Sequence, residues 1–328
     1  MMFRVRVADS LRNVCGLCLR HMHSSSVEGD LRPRRSLLYI PGNDERKIAK
    51  AFGLNADIVV LDCEDGVALN RKAEARKVIS NALEKSSFGS SEVAVRINSV
   101  DAKKLATEDM QVLLGGTKIP STILVPKVEH VHQLEWVNER ISHVAKLQNS
   151  NRKISLIIFI ESALGLLNLR DIVMAGVDQS NVFNLEAVVF GSDDFFANIG
   201  ATRTRDAKEL MFARQAIVVH CKAYGLQAID MVHINYKDLD GLEEEAAEGA
   251  RMGFTGKQII HPNQINVVNA AFSPTSEKIE WARSLVTKFE EESKKGIGAI
   301  TFRDQMIDMP LVKQAYNILS VVRIENSS

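Results

Sequence analysis

The chain has 328 residues, of which 45% are hydrophobic and 25% charged, a composition typical of a globular protein with enough apolar material for a sizeable core. Its 41 lysines and arginines balance its 41 aspartates and glutamates, which argues against a nucleic-acid or membrane-surface partner. The four cysteines are too few and too scattered for the disulfide framework of a small secreted domain. Any recognition of phosphate must therefore come from a local cluster of cations.

The first thirty residues differ from the rest of the chain. Asp9 is the only acidic residue before Glu28, and serines and arginines stand among the apolar residues there, the arginines being Arg4, Arg6, Arg12 and Arg20. This pattern is typical of a mitochondrial presequence. We expect residues 1–30 to be a transit peptide and the mature protein to work in the mitochondrial matrix, the alternative being an N-terminus that is merely disordered. Cys15 and Cys18 also lie here, but no second pair completes a zinc site.

Short β-branched runs alternate with amphipathic helical stretches from Ser36 onward, a pattern that predicts parallel βα units. The predicted strands are Ser36–Ile40, Asp57–Leu61, Val93–Ile97, Thr122–Val125, Ile154–Ile160, Ala187–Phe190, Leu226–Ile229 and Gly256–Ile260. Predicted helices between them include Asn43–Phe52, Asn70–Glu84, Val131–Val144, Asp206–Ala223 and Leu239–Met252. This α/β pattern predicts a TIM (β/α)8 barrel over residues 31–272. A doubly wound sheet is the alternative, but the chain has neither a G-x-G-x-x-G nor a P-loop motif.

Polar side chains follow most of the predicted strands, and in a TIM barrel these strand ends form the active-site face. Glu161 and Asp194 follow consecutive strands, which lie roughly 5 Å apart. Two carboxylates with other ligand positions left to water and substrate favour Mg2+. One of them could instead cap the following helix, a role for which Ser162 and Asp193 compete, and the spacing leaves open whether Asp193 is the ligand.

Two sets of cations are candidates for binding an anion. Arg96 lies in an otherwise apolar strand, so its guanidinium needs a carboxylate partner such as Glu64 or Asp65, an anionic ligand, or both. Arg46 and Lys50 share one face of the first predicted helix and could grip a phosphate-rich ligand, or they could belong to a solvated face.

The segment after the barrel, residues 273–328, is too long for a simple closure. Ser276–Lys295 is predicted to be a charged helix, Gly296 and Gly298 permit a bend, and a last helix begins at Pro310. We expect this helical extension to act as a lid or as an arm that crosses to another subunit. Met306 and Met309 are expected to pack in a core.

Several motifs resemble those of the citrate lyase β-subunit-like family, which includes the HpcH/HpaI aldolases. The similar segments are Leu38–Asn43, Leu61–Gly66, Val95–Asn98, Phe190–Phe195, Lys257–Pro262 and Met306–Pro310. The resemblance spans nearly the whole chain after the N-terminal segment. It implies a Mg2+-dependent carbon–carbon lyase that cleaves (3S)-citramalyl-CoA to acetyl-CoA and pyruvate, with a malate or methylmalate synthase side activity.

The resemblance also implies roles for particular residues. Glu161 and Asp194 would hold Mg2+, Arg96 would contact the acyl portion, and Asp308 would be the catalytic acid/base. The residues implied at the coenzyme A site are Tyr39, Arg46, Lys50, Ile260 and His261. In the family, the aspartate at the position of Asp308 arrives on an arm from a neighbouring subunit of a trimer, so a homotrimer is expected.

The chain departs from the family pattern at two places. Relatives commonly carry lysine where Arg46 stands, and Gly-Glu-Asp-Phe where this chain has Ser192–Phe195. Arginine does not reproduce a lysine's point contact with phosphate, and the role of the shorter Asp193 is left open. Two other functions remain: a non-catalytic acyl-CoA-binding protein, and a metal-dependent aldolase that acts on free 2-oxo acids.

Overall fold

The computed structural model describes residues 32–85, 88–148, 153–294 and 299–325. The predicted transit peptide over residues 1–30, with Cys15 and Cys18, lies outside these ranges. So do Gly296 and Gly298, where the sequence predicts a bend. Within the described ranges, no helix has the length and apolar character needed to cross a membrane.

Eight parallel strands close into a barrel in chain order, with β8 pairing back onto β1. The strands are β1 (Ser36–Pro41), β2 (Ile58–Asp62), β3 (Glu92–Arg96), β4 (Thr122–Val125), β5 (Ile154–Ile160), β6 (Phe183–Phe190), β7 (Gln227–Asp230) and β8 (Gly256–Ile259). The TIM-barrel prediction is therefore confirmed. Strand β6 begins four residues before the predicted start at Ala187, because the sequence reading missed the polar, bulged first half of this strand.

Helices surround the barrel and continue beyond it. They are α1 (Glu45–Ala51), α2 (Lys72–Lys85), α3 (Lys103–Leu114), α4 (Val131–Gln148), α5 (Ala163–Leu167), α6 (Leu169–Gly176), α7 (Ser192–Ile199), α8 (Met211–Ala223), α9 (Leu239–Met252), α10 (Ile265–Ala271), α11 (Ser276–Ser293) and α12 (Met309–Glu325). The predicted helix at Asp206–Ala223 begins later than expected, because a 3-10 turn, Lys208–Leu210, precedes α8.

Alternation along the strands separates two apolar layers. The barrel interior is filled by side chains from seven strands, namely Leu37, Ile58, Val60, Ala94, Leu124, Ile157, Phe159, Ala187, Val189 and Ile229. Intervening residues such as Val59, Leu61 and Val95 belong to the larger cluster between strands and helices. The interior is thus a packed core with room for a site only beyond its last apolar layer.

The N-terminal end of the barrel is closed by charged and polar side chains. Arg34 is 2% exposed and forms ion pairs with Glu92 on β3 and with Glu186 on β6. Thr122 donates to Glu92, and Ser155 donates to Glu186 at 2.9 Å. The two carboxylates and the buried guanidinium thus satisfy one another's charges, which offsets the cost of burying them.

The C-terminal segment has an apolar cluster of its own. Helices α11 and α12 and the hairpin of β9 (Ile300–Phe302) and β10 (Gln305–Ile307) form it, and it includes Leu285, Phe289 and Val312. Within the described residues, this cluster contains no side chain from the barrel. Met306 is 78% exposed and Met309 is 37% exposed, so the prediction that they pack in a core is wrong.

Candidate active site

A cavity of about 660 Å³ opens at the C-terminal ends of the strands, where the polar residues were predicted to meet. Its lining includes residues from the ends of β1, β2, β3, β5, β6 and β8, among them Tyr39, Asp62, Arg96, Glu161, Asp194, Gln258, Ile260 and His261. The fold explains this convergence. Asp62 and Arg96 lie two residues beyond the interior residues Val60 and Ala94, and Glu161 lies two beyond Phe159. Each therefore points to the same side of the sheet as the packed interior, one layer higher.

Arg96 is held by two carboxylates. Asp62 is its neighbour across the β2–β3 pair, and the two form a bidentate ion pair with both hydrogen bonds at 2.7 Å. Arg96 Nη1 lies 2.9 Å from Glu64 Oε2 in an ion pair that lacks hydrogen-bonding geometry. The sequence reading named Glu64 as a possible partner but missed Asp62, and Asp65 pairs with Lys127 instead. The guanidinium also lies 5.1 Å from the centre of the Tyr39 ring, so it is fixed on several sides.

Glu161 is a buried carboxylate, 6% exposed. Its Oε2 accepts a hydrogen bond of 2.7 Å from the backbone N–H of Lys127. Burial, with the nearby charges of Glu64 and Asp194, raises the pKa of Glu161 to about 8. Gly191 makes room for this side chain, because a Cβ there would lie 2.3 Å from Glu161 Cγ. Burial thus favours the neutral acid, and a cation beside Glu161 would favour its charged form.

Asp194 lies in the first turn of α7, and its side chain is 45% exposed at the cavity. Asp194 and Glu161 line the same cavity, and the charge of Asp194 contributes to the raised pKa of Glu161. Asp193 instead pairs with Arg203 at 2.8 Å. Ser162, not Glu161, caps α5, by accepting a hydrogen bond from the backbone N–H of Gly165.

The alternative in which Glu161 caps a helix is therefore wrong, and the geometry favours Asp194 over Asp193 as its partner at a metal. Among the described side chains, no group of three or more histidines, cysteines or acidic residues could hold a metal ion. Two carboxylates on one cavity, with other oxygens at the remaining ligand positions, would suit Mg2+.

Lys127 follows β4 and sits among the same carboxylates. Its Nζ lies 2.8 Å from Glu64 Oε1, 3.3 Å from Asp65 Oδ2 and 4.0 Å from Asp194 Oδ1. Burial opposes its charge, but the carboxylate of Glu64 outweighs this and raises the pKa of Lys127 above its ordinary value. Lys127 lies two residues beyond the end of β4 and was not among the predicted site residues.

The rim of the cavity is formed by β1 and β8. Tyr39 donates a hydrogen bond of 3.0 Å to Gln258 Oε1, and Gln258 in turn donates to the backbone oxygen of Phe190 at 2.8 Å. Ile260 is 43% exposed, and the His261 ring stacks on Tyr236 at 4.7 Å between ring centres. An exposed apolar side chain and a flat pair of rings at the mouth offer a surface to an extended, partly aromatic ligand.

Helix α1 begins with Asp44 as its cap and runs beside the mouth. Lys47 and Lys50 line the cavity, whereas Arg46 is exposed on the same helix and is not part of the lining. Of the two cations predicted to face the site from this helix, the structure places Lys50 at the cavity and Arg46 outside its lining. Lys47 was not predicted as a site residue, although it is next to Arg46 in the sequence.

Asp308 lies between β10 and α12 and is exposed. It does not line the cavity of its own chain. The structure therefore brings together Tyr39, Lys50, Arg96, Glu161, Asp194, Ile260 and His261, but neither Arg46 nor Asp308. The sequence reading also missed Gln258, for which the only signal was its place in a motif.

Comparison with known proteins gives a consistent result. Residues 35–262 match the HpcH/HpaI aldolase/citrate lyase family. The chain is 48% identical over 302 residues to the mitochondrial citramalyl-CoA lyase of Homo sapiens, and the match covers 91% of this chain and 88% of that protein. It is 30% identical over 293 residues to the citrate lyase subunit beta of Leuconostoc mesenteroides subsp. cremoris, covering 88% of this chain and 93% of that one.

A solved structure is also similar. The CitE protein of Mycobacterium tuberculosis, crystallised with magnesium, acetoacetate and coenzyme A, superposes with a TM-score of 0.69 at 29% identity. The similarity covers 88% of this chain and 97% of that one. The resemblance found in the sequence motifs is thereby confirmed, and the chain belongs to the HpcH/HpaI aldolase/citrate lyase family.

Proposed function

We propose that the chain is a Mg2+-dependent carbon–carbon lyase of the mitochondrial matrix that cleaves (3S)-citramalyl-CoA to acetyl-CoA and pyruvate. The observation that carries the proposal is the buried carboxylate of Glu161, which lies with Asp194 and Arg96 around one cavity. The human relative is named a mitochondrial citramalyl-CoA lyase, which supports both the substrate and the location. Residues 1–30 would be the transit peptide, 31–272 the catalytic barrel and 273–328 the arm.

Glu161 and Asp194 would hold the Mg2+. Glu161 is buried, and burial with the charges of Glu64 and Asp194 raises its pKa, so a cation beside it would favour the charged carboxylate. The similar CitE protein was crystallised with magnesium, which supports this choice of ion. When bound, the ion would supply positive charge to the hydroxyl and carboxylate oxygens of the substrate, which makes the hydroxyl easier to deprotonate.

Arg96 would stabilise the charge that appears when the carbon–carbon bond breaks. Cleavage leaves pyruvate and the enolate of acetyl-CoA, and a guanidinium aimed at the enolate oxygen offsets its charge. Asp62 and Glu64 hold Arg96 in place before substrate arrives, so little reorganisation is needed during the reaction. The 12% exposure of the Arg96 side chain leaves part of it open to the cavity.

The coenzyme A portion would lie along the rim. Tyr39, Ile260 and His261 would contact its apolar and aromatic parts, and Lys50 would pair with its phosphates. Arg46 is proposed for the same phosphates at the outer end of α1, with Lys47 nearer to the cavity.

Asp308 would deliver the proton that converts the enolate into acetyl-CoA. Because Asp308 is exposed and lies off the cavity of its own chain, it would serve the cavity of a neighbouring subunit. The exposed Met306 and Met309 on either side of it support burial against such a neighbour. The proposed assembly is a homotrimer in which the C-terminal segment is the crossing arm.

Run backwards, the reaction condenses acetyl-CoA with a 2-oxo acid. Glyoxylate lacks only the methyl group of pyruvate, and loss of one methyl group costs roughly 1–3 kcal/mol of discrimination. A malate or methylmalate synthase side activity, which is a transferase reaction, is therefore part of the proposal.

The test offers the purified chain (3S)- and (3R)-citramalyl-CoA with and without a chelator, and measures pyruvate and acetyl-CoA. Cleavage of the 3S form that requires Mg2+ and is lost in Asp308→Ala supports the proposal. Binding of the thioester without cleavage of either form would instead make the chain an acyl-CoA-binding protein. Cleavage of free citramalate at the same rate would make it an aldolase that acts on free acids.

A further inference from the structure

Lys127 adopts a backbone conformation that side chains rarely tolerate. Its φ of 54° lies in the left-handed region, which costs a non-glycine residue about 1 kcal/mol or more. The conformation is held from both sides, because Gln133 donates to the Lys127 oxygen at 3.2 Å and the next residue, Val128, donates to Phe159 O at 3.1 Å. In this conformation, the backbone N–H of Lys127 donates to Glu161, and the side chain of Lys127 donates to Glu64.

The ammonium group of Lys127 connects carboxylates that would otherwise repel one another. It contacts Glu64 and Asp65 from the loop after β2 and approaches Asp194 in the first turn of α7. Arg96 is already taken up by Asp62 and Glu64, so Lys127 is the cation that faces the outer part of this cluster. Lys127 is not among the residues that line the cavity.

We propose that Lys127 is a positioning residue that acts as an internal counter-ion of the metal site. Its charge holds Glu64, Asp65 and Asp194 together before the metal ion binds, and the same charge weakens the binding of Mg2+. The inference rests on the proposed function, because it takes Glu161 and Asp194 as the metal ligands. It assigns two opposite effects to one side chain, whereas a merely structural residue would have only the first.

The experiment measures Mg2+ binding to the metal-free, full-length protein by isothermal titration calorimetry, together with the melting temperature without the ion. Lys127→Gln removes the charge but keeps a hydrogen-bond donor, and Lys127→Met removes both. Both variants keep the backbone N–H that serves Glu161. We expect each to bind Mg2+ about fivefold more tightly than the wild type and to melt at a lower temperature when metal-free.

Two controls separate charge from structure. Lys127→Arg keeps the charge, and its Mg2+ affinity should stay within about twofold of the wild type. Lys72 is a buried lysine that donates to the backbone oxygens of Cys63 and Glu64 in the same loop. Lys72→Met should lower the melting temperature without tightening Mg2+ binding.

Unchanged or weaker Mg2+ binding in both neutral variants would overturn the inference and leave Lys127 a structural residue. Glu161→Gln tests the underlying site. If this variant binds Mg2+ as the wild type does, the ion lies elsewhere, and both the inference and the proposed metal site are wrong. If Glu161→Gln loses the ion while the Lys127 variants do not tighten, only the inference fails.

Discussion

Gly191 offers a direct way to displace the proposed metal ligand without altering any charge. An added Cβ would lie 2.3 Å from Glu161 Cγ, 2.4 Å from its Oε1 and 2.8 Å from its Cδ. Real Cβ contacts do not fall below 3.0 Å, so Gly191→Ala must push the Glu161 side chain away by about 0.7 Å, the difference from 2.3 Å. Its hydrogen bond to the Lys127 N–H, now 2.7 Å, then stretches towards the limit of such a bond.

A hydrogen bond to a charged group is worth roughly 1.5–3 kcal/mol, and each 1.4 kcal/mol is about a tenfold change in affinity. We therefore expect Gly191→Ala to bind Mg2+ about tenfold or more weakly, as measured by titration calorimetry on the metal-free protein. Gly53→Ala is the matched control, because a Cβ at Gly53 meets nothing within 4 Å. Wild-type Mg2+ affinity in Gly191→Ala would show that the position of Glu161 does not determine metal binding.

Three further predictions address the acid/base, the buried charges and the rim. Asp308→Asn should lower the rate of cleavage in kinetic assays by roughly 10²- to 10⁴-fold, while the Mg2+ affinity measured by calorimetry stays unchanged. A loss of Mg2+ affinity as large as the loss of rate would contradict a role in proton transfer alone. Burial favours the neutral form of Glu245, but Lys257 and His233 outweigh it and lower its pKa to about 2. The folded-state pKa of Glu245 lies below the ordinary 4.5, so its contacts with Lys257 and His233 stabilise the fold. Their stabilisation is complete above about pH 4.5 and is lost as the pH falls towards 2. Glu245→Gln should therefore lower the free energy of unfolding by about 3 kcal/mol at pH 7 but by only about 1.4 kcal/mol at pH 3, and equal losses in urea unfolding at both values would refute this. Tyr39→Phe leaves Gln258 Oε1 without its donor and should raise KM for the thioester several-fold more than it lowers kcat, whereas an effect confined to kcat would place Tyr39 in the chemical step.

Much of the barrel could be predicted because its strands are buried on both faces and therefore appear as short apolar runs. Strand β6 shows where this fails. Its first half, from Phe183, includes an exposed asparagine and the bulge that carries Glu186, so the apolar signal begins only at Ala187. Pairing with β5, which is not visible in a single sequence, makes this half a strand.

The site was predictable to the extent that strand ends meet at one face. The sequence placed Glu161 and Asp194 together, but it could not show that Asp62 is the partner of Arg96, because this depends on the register between β2 and β3. It also could not show that Lys47 rather than Arg46 lines the cavity. That choice depends on how α1 is rotated about its axis, and α1 has only seven residues and two buried positions, Ile48 and Ala51.

The apolar cluster of the C-terminal segment shares no side chain with the barrel among the described residues, so the two parts have separate apolar cores. Substitutions that repack Leu285, Phe289 or Val312 change the arm without disturbing the strands that carry Glu161 and Arg96. Grafting the arm of a relative onto this barrel would require a match at the junction near residues 273–275 and, in the proposed assembly, at the contact with the neighbouring subunit. Substitutions in the core of the segment that carries Asp308 therefore leave the core beneath Glu161 and Arg96 unchanged.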